Sequence, residues 1–427
     1  MTSIDIRSLD TVMSRCIHCG MCLPVCPTYN LTMREQSSPR GRIRLIRSLH
    51  EGTIGLTEEF VDEMNFCLDC QACQTACPAG VQYGELVEDA RQQISEGKKE
   101  SYRLRLVKFL LLRGILASKR RTKFFGRLLR LYEAAGLRDA VERSAILSLF
   151  SQKFQAKHSM LPHASGVFFD DDSVEVFSPV GSKRGTVAFL SGCIMNVSFA
   201  EVHRDAVDVL RLNGFEVVVP KQQVCCGSLH GHNGDNMVAK ELAHRNLDVF
   251  GKFPFDALVI DSAGCGAFIK EYGKLLADDP AYASQAEELS RKTKDITEFL
   301  VDAGMVTPAI PLNVRITYHE ACHLVHSQKI SRQPREIIQS IPGIEFVELP
   351  EATWCCGSAG IYNVTRFDDS MKFLERKMNN LASTNADIVV TGNPGCHLQL
   401  QYGIKKFGLK MEVVHPVTLL RRTYRPL

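Results

Sequence analysis

Eight cysteines near the start of the chain have the spacing of ligands for iron–sulfur chemistry. They form two runs of C-x2-C-x2-C-x3-C, each followed by proline: Cys16, Cys19, Cys22, Cys26 and Pro27, then Cys67, Cys70, Cys73, Cys77 and Pro78. In such runs three closely spaced thiolates hold three irons of a cubane, and the last cysteine of the other run holds the fourth iron. The spacing predicts two [4Fe-4S] clusters, one on Cys16, Cys19, Cys22 and Cys77, the other on Cys67, Cys70, Cys73 and Cys26.

The paired runs indicate a two-cluster ferredoxin-like domain over residues 1–100. The alternatives are structural zinc, which needs only two C-x2-C pairs, and plain buried cysteines. Eight cysteines with two prolines in register argue against both. Clusters of this type carry single electrons and offer no group that binds an organic substrate. The domain is therefore expected to conduct electrons, and no catalytic residue is predicted in the chain.

The other eight cysteines form a duplicated pattern in the second half of the chain. The two copies share three cysteine stations at offsets of 129, 130 and 131 residues. The stations are Cys193, Cys225 and Cys265 in the first copy and Cys322, Cys355 and Cys396 in the second. The middle station of each is a cysteine pair followed by glycine, abbreviated CCG. Equal internal spacing predicts two copies of one domain.

The glycine after each cysteine pair permits a turn that directs both thiolates into one pocket. A helix that starts after this glycine would offer free N–H groups to a thiolate-rich, anionic centre. Each copy offers four thiolates, a full set for a [4Fe-4S] cluster: Cys193, Cys225, Cys226 and Cys265, then Cys322, Cys355, Cys356 and Cys396. A zinc site, a vicinal disulfide and buried thiols left from duplication are the alternatives. At least one further cluster is predicted, in one copy or in both.

Five histidines lie close to these cysteines in the sequence: His230, His232, His319, His323 and His326. An imidazole could complete a cluster's coordination or relay protons to a quinone or flavin partner, and one that only forms hydrogen bonds is the alternative. His319 and His323 are the preferred candidates because they flank Cys322. Trp354, the only tryptophan, is expected to pack against the second cysteine pair.

Alternating strand and helix signals position these stations. Each copy begins with an apolar run, TVAFLSGC or VRITYHEAC; further strands are expected at FEVVVP and ALVID, and at IEFVEL and DIVVT. This alternation predicts parallel α/β layers with ligand sites beyond the carboxyl ends of the strands. The fold is expected to be α+β overall, with a helical ferredoxin-like domain at 1–100 and a basic helical segment at 101–185 that ends in a linker from about 160. Repeated α/β CCG domains with parallel strands are expected at 186–305 and 306–427.

Two helical segments carry clustered basic residues. Residues 101–132 contain ten Lys or Arg and no Asp or Glu, with apolar residues at helical intervals: Leu106, Phe109, Leu110, Phe124, Leu128 and Leu131. This basic amphipathic segment could rest on an anionic membrane, dock a partner subunit, or pack its apolar face on the core. A helix is also expected after Pro39, and its arginines would stabilise anionic clusters or a partner's acidic face, or else face water: Arg40, Arg42, Arg44 and Arg47.

The overall composition excludes several classes of function. The 427 residues are 45% hydrophobic with a net charge of +3, so packed cores are expected and a nucleic-acid partner is not. No apolar run is long enough to span a membrane, and the N-terminus lacks the regions of a secretion signal. Sixteen cysteines in such a chain favour metal or redox chemistry over disulfides. A cytoplasmic location is expected, with peripheral contact to the cytoplasmic face of the inner membrane as an option.

The sequence lacks the motifs that would hold an organic cofactor. It has no G-x-G-x-x-G opening a helix, no P-loop and no C-x2-C-H haem attachment run. Flavin, nucleotide and haem are therefore not expected on this chain. Removal of hydride from a substrate is expected on a partner chain instead.

Several segments resemble known families of iron–sulfur proteins. The C-terminal half is similar to the paired cysteine-rich domains found in the cysteine-rich subunit of heterodisulfide reductase, in the iron–sulfur subunit of anaerobic glycerol-3-phosphate dehydrogenase and in lactate-utilisation proteins. Over its full length, with PRGRI, SGC, AGCGAFIKEYG and CCGSAGIYN, the chain most resembles the iron–sulfur subunit of bacterial glycolate oxidase. The reductase pattern has a further cysteine in each domain where this chain has Ser262 and Asn393. This departure argues against the five-thiolate cluster of the reductase and against disulfide cleavage.

The resemblance implies an iron–sulfur electron-transfer subunit of a glycolate, or related 2-hydroxy-acid, dehydrogenase or oxidase complex. A FAD-containing dehydrogenase subunit would oxidise the substrate, and this chain would pass the electrons to a quinone or another acceptor. The iron–sulfur subunit of a D-lactate or glycerol-3-phosphate dehydrogenase, and a catalytic subunit like that of heterodisulfide reductase, are the alternatives. A scaffold whose CCG domains bind zinc or nothing is a third.

Overall fold

The first part of the chain is a helical domain. The computed structural model describes residues 6–144, 147, 152–172 and 174–425. The helices of this domain are Ile6–Ser14, Pro27–Thr32, Pro39–His50, Glu58–Phe66, Ala72–Thr75 and Tyr83–Glu96, with a 3₁₀ turn at Glu35–Ser37. Ile46, Met64 and Leu86 are fully buried between them. The helices therefore share one apolar core, and the cysteine loops are built on it.

The helix expected after Pro39 is confirmed as Pro39–His50. Ser38 caps it by accepting a hydrogen bond from the Gly41 backbone N–H at 3.0 Å. Proline suits the first helical position because no N–H is needed there. The cap and the proline therefore fix where this helix begins.

The arginines of this helix mostly bond within the domain. Arg42 is fully buried, and its guanidinium donates a hydrogen bond to the Thr28 hydroxyl at 3.0 Å. Arg40 and Arg47 also have partners inside the domain, and Arg44 is the one of the four that is exposed. The expectation of a solvated basic face therefore holds for Arg44 only.

A basic helical segment connects this domain to the rest of the chain. Its elements are Tyr102–Lys108, a π-helix at Phe109–Leu116, Lys119–Ala134, Leu137–Arg143 and Gln152–Ser159. The apolar side chains at helical spacing are between 42% and 62% exposed: Leu106, Phe109, Leu110, Phe124, Leu128 and Leu131. These six side chains therefore lie outside the core, whereas Leu112 and Leu116 of the same segment are buried. Within the described part of the chain, no helix has the length and apolar character needed to cross a membrane.

The first CCG copy is built on a five-stranded sheet. Its strands are β1 Val176–Phe177, β2 Gly185–Phe189, β3 Phe215–Val218, β4 Ala257–Ile260 and β5 Thr293–Asp295, in the spatial order β1-β3-β2-β4-β5. All pairs are parallel except β1 with β3. The helices of this copy are Phe169–Asp172, Ile194–Ser198, Ala200–Leu212, Ser228–Gly231, Asn236–Phe250, Ala263–Lys270, Tyr272–Leu275, Ala283–Lys292 and Ile296–Ala303. The predicted parallel α/β layer is confirmed.

The second copy repeats this arrangement. Its strands are β6 Val314–Tyr318, β7 Ile344–Phe346, β8 Ile388–Val390 and β9 Glu412–Val414, all parallel, in the order β7-β6-β8-β9. Its helices are a π-helix at His323–Ser327, then Arg332–Ser340, Tyr362–Thr365, Phe367–Thr384, Pro394–Phe407 and Pro416–Arg421. The order of the four strands matches β3-β2-β4-β5 of the first sheet. The duplication seen in the cysteine spacing is therefore a duplication of the fold.

Residues 165–172 and 174–185, within the segment expected to be a linker, pack on the first copy. Strand β1 lies there and pairs antiparallel with β3. Phe168 and Phe169 are each 1% exposed, and the Phe169 ring lies 6.1 Å from that of Phe189 in the core. Two aromatic side chains thus anchor a segment whose polar composition had indicated a free linker.

The last helix of each copy packs on the other copy. Pro416–Arg421 contacts Ala200–Leu212 of the first copy, and Leu420 is fully buried in the first copy's core. In return, Ile296–Ala303 contacts Arg332–Ser340 of the second copy. Each copy therefore completes the core of the other, which holds the cysteine-bearing ends of the two sheets in a fixed relation.

Candidate metal centres

The first set of predicted ligands lies at the surface of the helical domain. All four cysteines of this set line one small cavity there: Cys16, Cys19, Cys22 and Cys77. Cys19 is exposed, and its neighbours Ile17 and Met21 are 67% and 59% exposed. Burial raises the pKa of Cys22 to about 11. This set is thus reachable from outside through an apolar rim.

The second set is buried inside the helical domain and consists of Cys26, Cys67, Cys70 and Cys73. Burial, together with the neighbouring sulfurs of Cys70, Cys67 and Cys26, raises the pKa of Cys73 well above its ordinary value. Cys26, from the first run, therefore lies with the three leading cysteines of the second run. Cys73 also borders the cavity of the first set, so the two sets adjoin.

Hydrogen-bond donors and a cation surround the second set. The Asp69 backbone N–H and the Tyr83 hydroxyl donate to the Cys67 sulfur at 3.3 Å and 3.6 Å. The buried Arg42 guanidinium lies close enough to Cys67 and Cys26 to interact with their charges. Hydrogen-bond donors and a nearby cation stabilise anionic sulfur. Stabilisation of an anionic cluster is one of the roles that the sequence predicts for the arginines.

The first CCG copy brings its three stations together beyond the ends of β2 and β4. The Sγ atoms of Cys226 and Cys265 are 3.1 Å apart. The thiols of Cys193 and then Cys226 donate to the Cys225 sulfur, and they hold the pKa of Cys225 well below its ordinary value. Cys265 occupies the first turn of Ala263–Lys270, as expected from the sequence.

The second CCG copy brings together the corresponding four thiols. The Cys322 thiol donates to Cys355, and this contact together with burial raises the pKa of Cys322 well above its ordinary value. Cys355 contacts Cys356, which in turn contacts Cys396 in the first turn of its helix. Each copy therefore presents a contiguous string of four thiols.

Glycine is required after each cysteine pair. Gly227 and Gly357 have φ angles of +89° and +88°. A Cβ atom at Gly357 would also lie 2.6 Å from the Ser370 carbonyl oxygen. In the first copy a short helix, Ser228–Gly231, follows the turn, but in the second the next helix begins only at Tyr362. The expected helix start directly after the glycine is therefore wrong for the second copy, where the left-handed Gly360 extends the turn.

The buried set of the helical domain lies next to the second CCG copy. Cys70 and Cys355 belong to one buried cluster with Phe66 and Trp354, and Cys322 packs against it. The only tryptophan thus packs the site, as expected. The two cysteine sets are therefore joined by direct packing of their side chains.

A cavity of about 990 Å³ joins the two CCG copies. Eight of its lining residues are the CCG cysteines: Cys193, Cys225, Cys226, Cys265, Cys322, Cys355, Cys356 and Cys396. Cys67 and Asp69 of the helical domain and Leu104 and Ile115 of the connecting segment also line it. Convergence within each copy could be predicted from strand order, but one space shared by both copies could not.

Two of the five histidines tie the second copy to the helical domain. The His323 Nε2–H donates to the Asp69 carbonyl at 2.9 Å, and His326 Nδ1 pairs with the Thr75 hydroxyl at 3.1 Å. Both contacts join residues about 250 positions apart in the sequence. For these two histidines the structure therefore gives a positioning contact between domains.

His230 lies against the first cysteine set. It is fully buried, and its Nε2–H donates to the Leu112 carbonyl at 3.1 Å. Its Nδ1 atom lies on the side of Cys225 and has no hydrogen-bond partner among the described residues. The ring is thus held by the connecting segment while one nitrogen faces the thiols.

His319 lies against the second cysteine set. One of its ring nitrogens and the sulfurs of Cys356 and Cys396 all lie within 4.8 Å of one another. The ring is 1% exposed, and within the described part of the chain neither nitrogen has a hydrogen-bond partner. Burial, and then the nearby Lys377 ammonium, hold the pKa of His319 well below its ordinary value, so the imidazole is neutral.

A buried polar cluster at the cavity wall corresponds to no motif in the sequence. His232 Nδ1 lies 2.6 Å from Glu88 Oε1 and 3.6 Å from Asp69 Oδ2, and Arg91 lies 3.6 Å from the same Asp69 oxygen. Burial, and then the Asp69 charge, raise the pKa of Glu88 well above its ordinary value. The residues of this cluster come from the helical domain and the first CCG copy, which are far apart in the sequence. The sequence therefore indicates only His232 among them.

The donor sets fit [4Fe-4S] clusters. All sixteen cysteines, each of them among the described residues, are free thiols. They lie in four groups of four, and nine of the sixteen are buried. At Cys70 and Cys73, burial and close sulfur neighbours raise the pKa and oppose the thiolate form unless a cation is present. A cluster supplies that cation and requires four thiolates, which is the number each group offers.

Comparison with known protein families matches most of the chain in four pieces. The description "4Fe-4S dicluster domain" matches residues 15–81, and "Cysteine-rich domain" matches 187–270 and 316–401. "Glycolate oxidase iron-sulfur subunit, linker region" matches 103–161. The matches cover the helical domain, the connecting segment and both CCG copies.

Similar proteins extend over nearly the whole chain. The probable glycolate oxidase iron-sulfur subunit of Bacillus subtilis is 37% identical over 95% of this chain and 92% of its own length. The glycolate oxidase iron-sulfur subunit of Escherichia coli is 28% identical over 92% and 90%. Lactate utilization protein A of Oceanobacillus iheyensis is 30% identical over 56% of this chain and 97% of its own length. With the family matches, the chain is an iron–sulfur protein that carries several [4Fe-4S] clusters.

Proposed function

Because the chain belongs to the family of glycolate oxidase iron–sulfur subunits, we propose that it is the electron-transfer subunit of a complex that oxidises glycolate or a related 2-hydroxy acid. A FAD-containing partner subunit removes hydride from the substrate, and this chain delivers the electrons to a quinone or another acceptor. [4Fe-4S] clusters, when bound, accept and release single electrons. The proposed ligand sets are Cys16, Cys19, Cys22 and Cys77; Cys67, Cys70, Cys73 and Cys26; Cys193, Cys225, Cys226 and Cys265; and Cys322, Cys355, Cys356 and Cys396.

The observation that carries this proposal is the continuity of the four sets. The first set is exposed at Cys19, and the second adjoins it through Cys73. The second set packs against the second CCG copy through Cys70 and Cys355. Both CCG copies then line one cavity. Cysteine sets in this order would accept electrons from a donor protein at the surface. They would deliver the electrons to an acceptor at the other end of the series, where the CCG copies meet.

The exposed first set is the proposed docking point of the flavoprotein. Ile17 and Met21 flank Cys19 and are large apolar side chains left in water. Apolar side chains around a functional group at the surface are typical of a protein contact. Burying them under a partner would bring its flavin close to the first set.

The connecting segment is the proposed site of a peripheral membrane contact. Its exposed apolar residues stand among exposed arginines, including Arg120, Arg127 and Arg130. Anionic headgroups would attract the arginines while the apolar side chains enter the interface. A cytoplasmic location is part of the proposal, because sixteen free thiols are suited to a reducing compartment.

Iron analysis combined with a double substitution tests the proposal. Anaerobically purified protein is expected to hold about twelve or more iron atoms per chain, against about eight if only the helical domain bound clusters. Changing Cys355→Ser and Cys356→Ser should remove about four of them, since two thiolates of one set are lost. The variant should no longer reduce the final acceptor in the reconstituted complex, while the flavoprotein still oxidises glycolate with an artificial dye.

The same substitutions in the first copy, Cys225→Ser and Cys226→Ser, are the matched comparison. They remove an equivalent pair of thiols from a fold of the same design. Acceptor reduction that survives in both variants would contradict a role for the CCG copies in electron delivery. An iron content of about eight in the unaltered protein would do the same.

A further inference from the structure

The two CCG copies differ at one buried position beside their cysteines. In the second copy this position is His319, whose backbone N–H donates to the Val390 carbonyl at 2.9 Å. In the first copy it is Leu190, whose N–H donates to the Val259 carbonyl at 3.2 Å. The strands pair in the same register in both sheets, so the two residues are structural equivalents. Leu190 packs in one apolar cluster with Cys225 and Cys226.

The imidazole of His319 has no hydrogen-bond partner among the described residues. The Ala352 carbonyl is nearby, but neither ring nitrogen meets the geometry of a hydrogen bond. Leaving a buried polar group unpaired costs about 1–3 kcal/mol. A side chain with a hydrogen-bond partner would avoid this cost. So would an apolar side chain, such as Leu190 at the equivalent position of the first copy. A partner outside the polypeptide resolves it.

The surrounding polar groups cannot substitute for such a partner. The Asn393 amide is committed, with Nδ2 donating to the Cys396 sulfur at 3.6 Å and Oδ1 accepting from the Gly264 N–H at 3.1 Å. The Lys377 ammonium donates to the Glu351 carbonyl at 2.6 Å and can only donate. His319 therefore has an unpaired ring nitrogen close to the sulfurs of Cys356 and Cys396.

We propose that His319 is a nitrogen ligand of the metal centre in the second CCG copy, beside Cys356 and Cys396, at a position where the first copy has the apolar Leu190. This inference rests on the proposed function in one respect, namely that the CCG copies bind iron–sulfur centres. Imidazole is an established ligand of iron. With His319, the second copy offers five donors: its four thiols and one imidazole nitrogen. The two copies are thus chemically distinct despite their common fold.

Nitrogen hyperfine coupling tests this ligand directly. The full chain is labelled with 15N-histidine, reconstituted with ferrous iron and sulfide, reduced, and examined by pulsed electron paramagnetic resonance. A strong coupling from a directly bound histidine nitrogen is expected, and it should be lost in His319→Gln. His326→Gln is the matched control, because His326 is also buried in the same copy but bonds to Thr75; it should keep the coupling.

A second variant separates ligation from folding. His319→Cys keeps a donor at the position, so iron content should be retained while the nitrogen coupling disappears. Unaltered protein with twelve or more irons and no such coupling overturns the inference but leaves the proposed function intact. An iron count near eight contradicts the proposed CCG centres themselves.

Discussion

A buried lysine, Lys377, distinguishes the two CCG copies. Lys377 is fully buried; burial lowers its pKa to about 8, and its ammonium donates to backbone carbonyls. It stands seven positions after Ser370, the residue packed on the CCG glycine. Asn246 stands seven positions after Ala239, the corresponding residue of the first copy. The second copy therefore has a positive charge near its thiols where the first has a neutral amide.

Asp295 gives the first copy a pH-dependent stability. Its carboxyl is 3% exposed and caps the helix Ile296–Ala303, and burial raises its pKa to about 6. The unfolded chain releases this proton near pH ~3.9, whereas the folded chain keeps it to about pH 6. Stability from this group is therefore complete below about pH 4 and is lost as the pH rises to about 6.

The variant Asp295→Asn isolates this effect, because asparagine also caps helices but does not titrate. Between pH 4.5 and pH 7 the unaltered chain should lose about 2 kcal/mol of unfolding free energy relative to the variant. Urea denaturation followed by circular dichroism at the two pH values measures the difference. A difference that does not change with pH, or that changes in the opposite direction, would refute this role of Asp295.

Individual ligands differ in how far the sequence could predict them. The helical domain's cysteines lie in short runs, so their spacing alone limits which of them can share a centre. His319 is unusual because neither of its ring nitrogens has a hydrogen-bond partner among the described residues. This property arises only in the folded chain, and no sequence pattern indicates it. Asp69, Glu88 and His232 meet only because the helical domain packs on the first copy.

Among the elements, those with strong local signals were predictable and those completed by long-range packing were not. Strands β2, β4, β6 and β8 are apolar runs, and each was expected from composition. Strand β5, with the sequence TKD, has no apolar run and pairs only because β4 offers an edge. The last helix of each copy likewise packs on the other copy through tertiary contacts. The hydrophobic periodicity of the sequence does not predict such contacts.

The helix Lys119–Ala134 is expected to bind anionic membranes. Leu128 and Leu131 are 45% and 62% exposed, and Arg127 and Arg130 are exposed on the same helix. Changing Leu128→Glu and Leu131→Glu should weaken binding to vesicles of phosphatidylcholine and phosphatidylglycerol by about tenfold or more, through lost apolar contact and added repulsion. Co-sedimentation with the vesicles measures the binding, which should also fall as salt is added.

Met237→Glu is the matched control for this experiment. Met237 is 60% exposed but lies on the helix Asn236–Phe250 of the first CCG copy. It should leave vesicle binding unchanged. Equal binding of the unaltered chain to vesicles of phosphatidylcholine alone would show that the arginines do not contribute, and no binding to either would exclude the membrane contact.

In the whole molecule, the helical domain, the connecting segment and both CCG copies meet at one cavity, while the first cysteine set remains at the surface. The interlocked last helices and the contacts of His323 and His326 hold this arrangement. Motion of one domain relative to another would break several of these contacts together. Donor and acceptor are therefore expected to approach the molecule at opposite ends of a rigid series of cysteine sets.

This arrangement predicts that a change at the surface end impairs electron entry and nothing else. Met21→Glu places a charge on the apolar rim beside Cys19, where it would have to be desolvated under the flavoprotein. Loss of one central apolar contact costs about 1–2 kcal/mol in a protein interface, so the affinity for the flavoprotein should fall by about tenfold. Titration of the flavoprotein with the variant, followed by acceptor reduction, measures the change.

The comparison with Met237→Glu decides whether the effect is local. Both substitutions replace an exposed methionine by glutamate, but Met237 is far along the chain from the first cysteine set. Iron content should be unchanged in both variants, and acceptor reduction at saturating flavoprotein should recover in Met21→Glu because only docking is weakened. Equal affinities of the two variants for the flavoprotein would place the donor contact elsewhere. A rate that stays low at saturation would instead assign Met21 to the electron-transfer step itself.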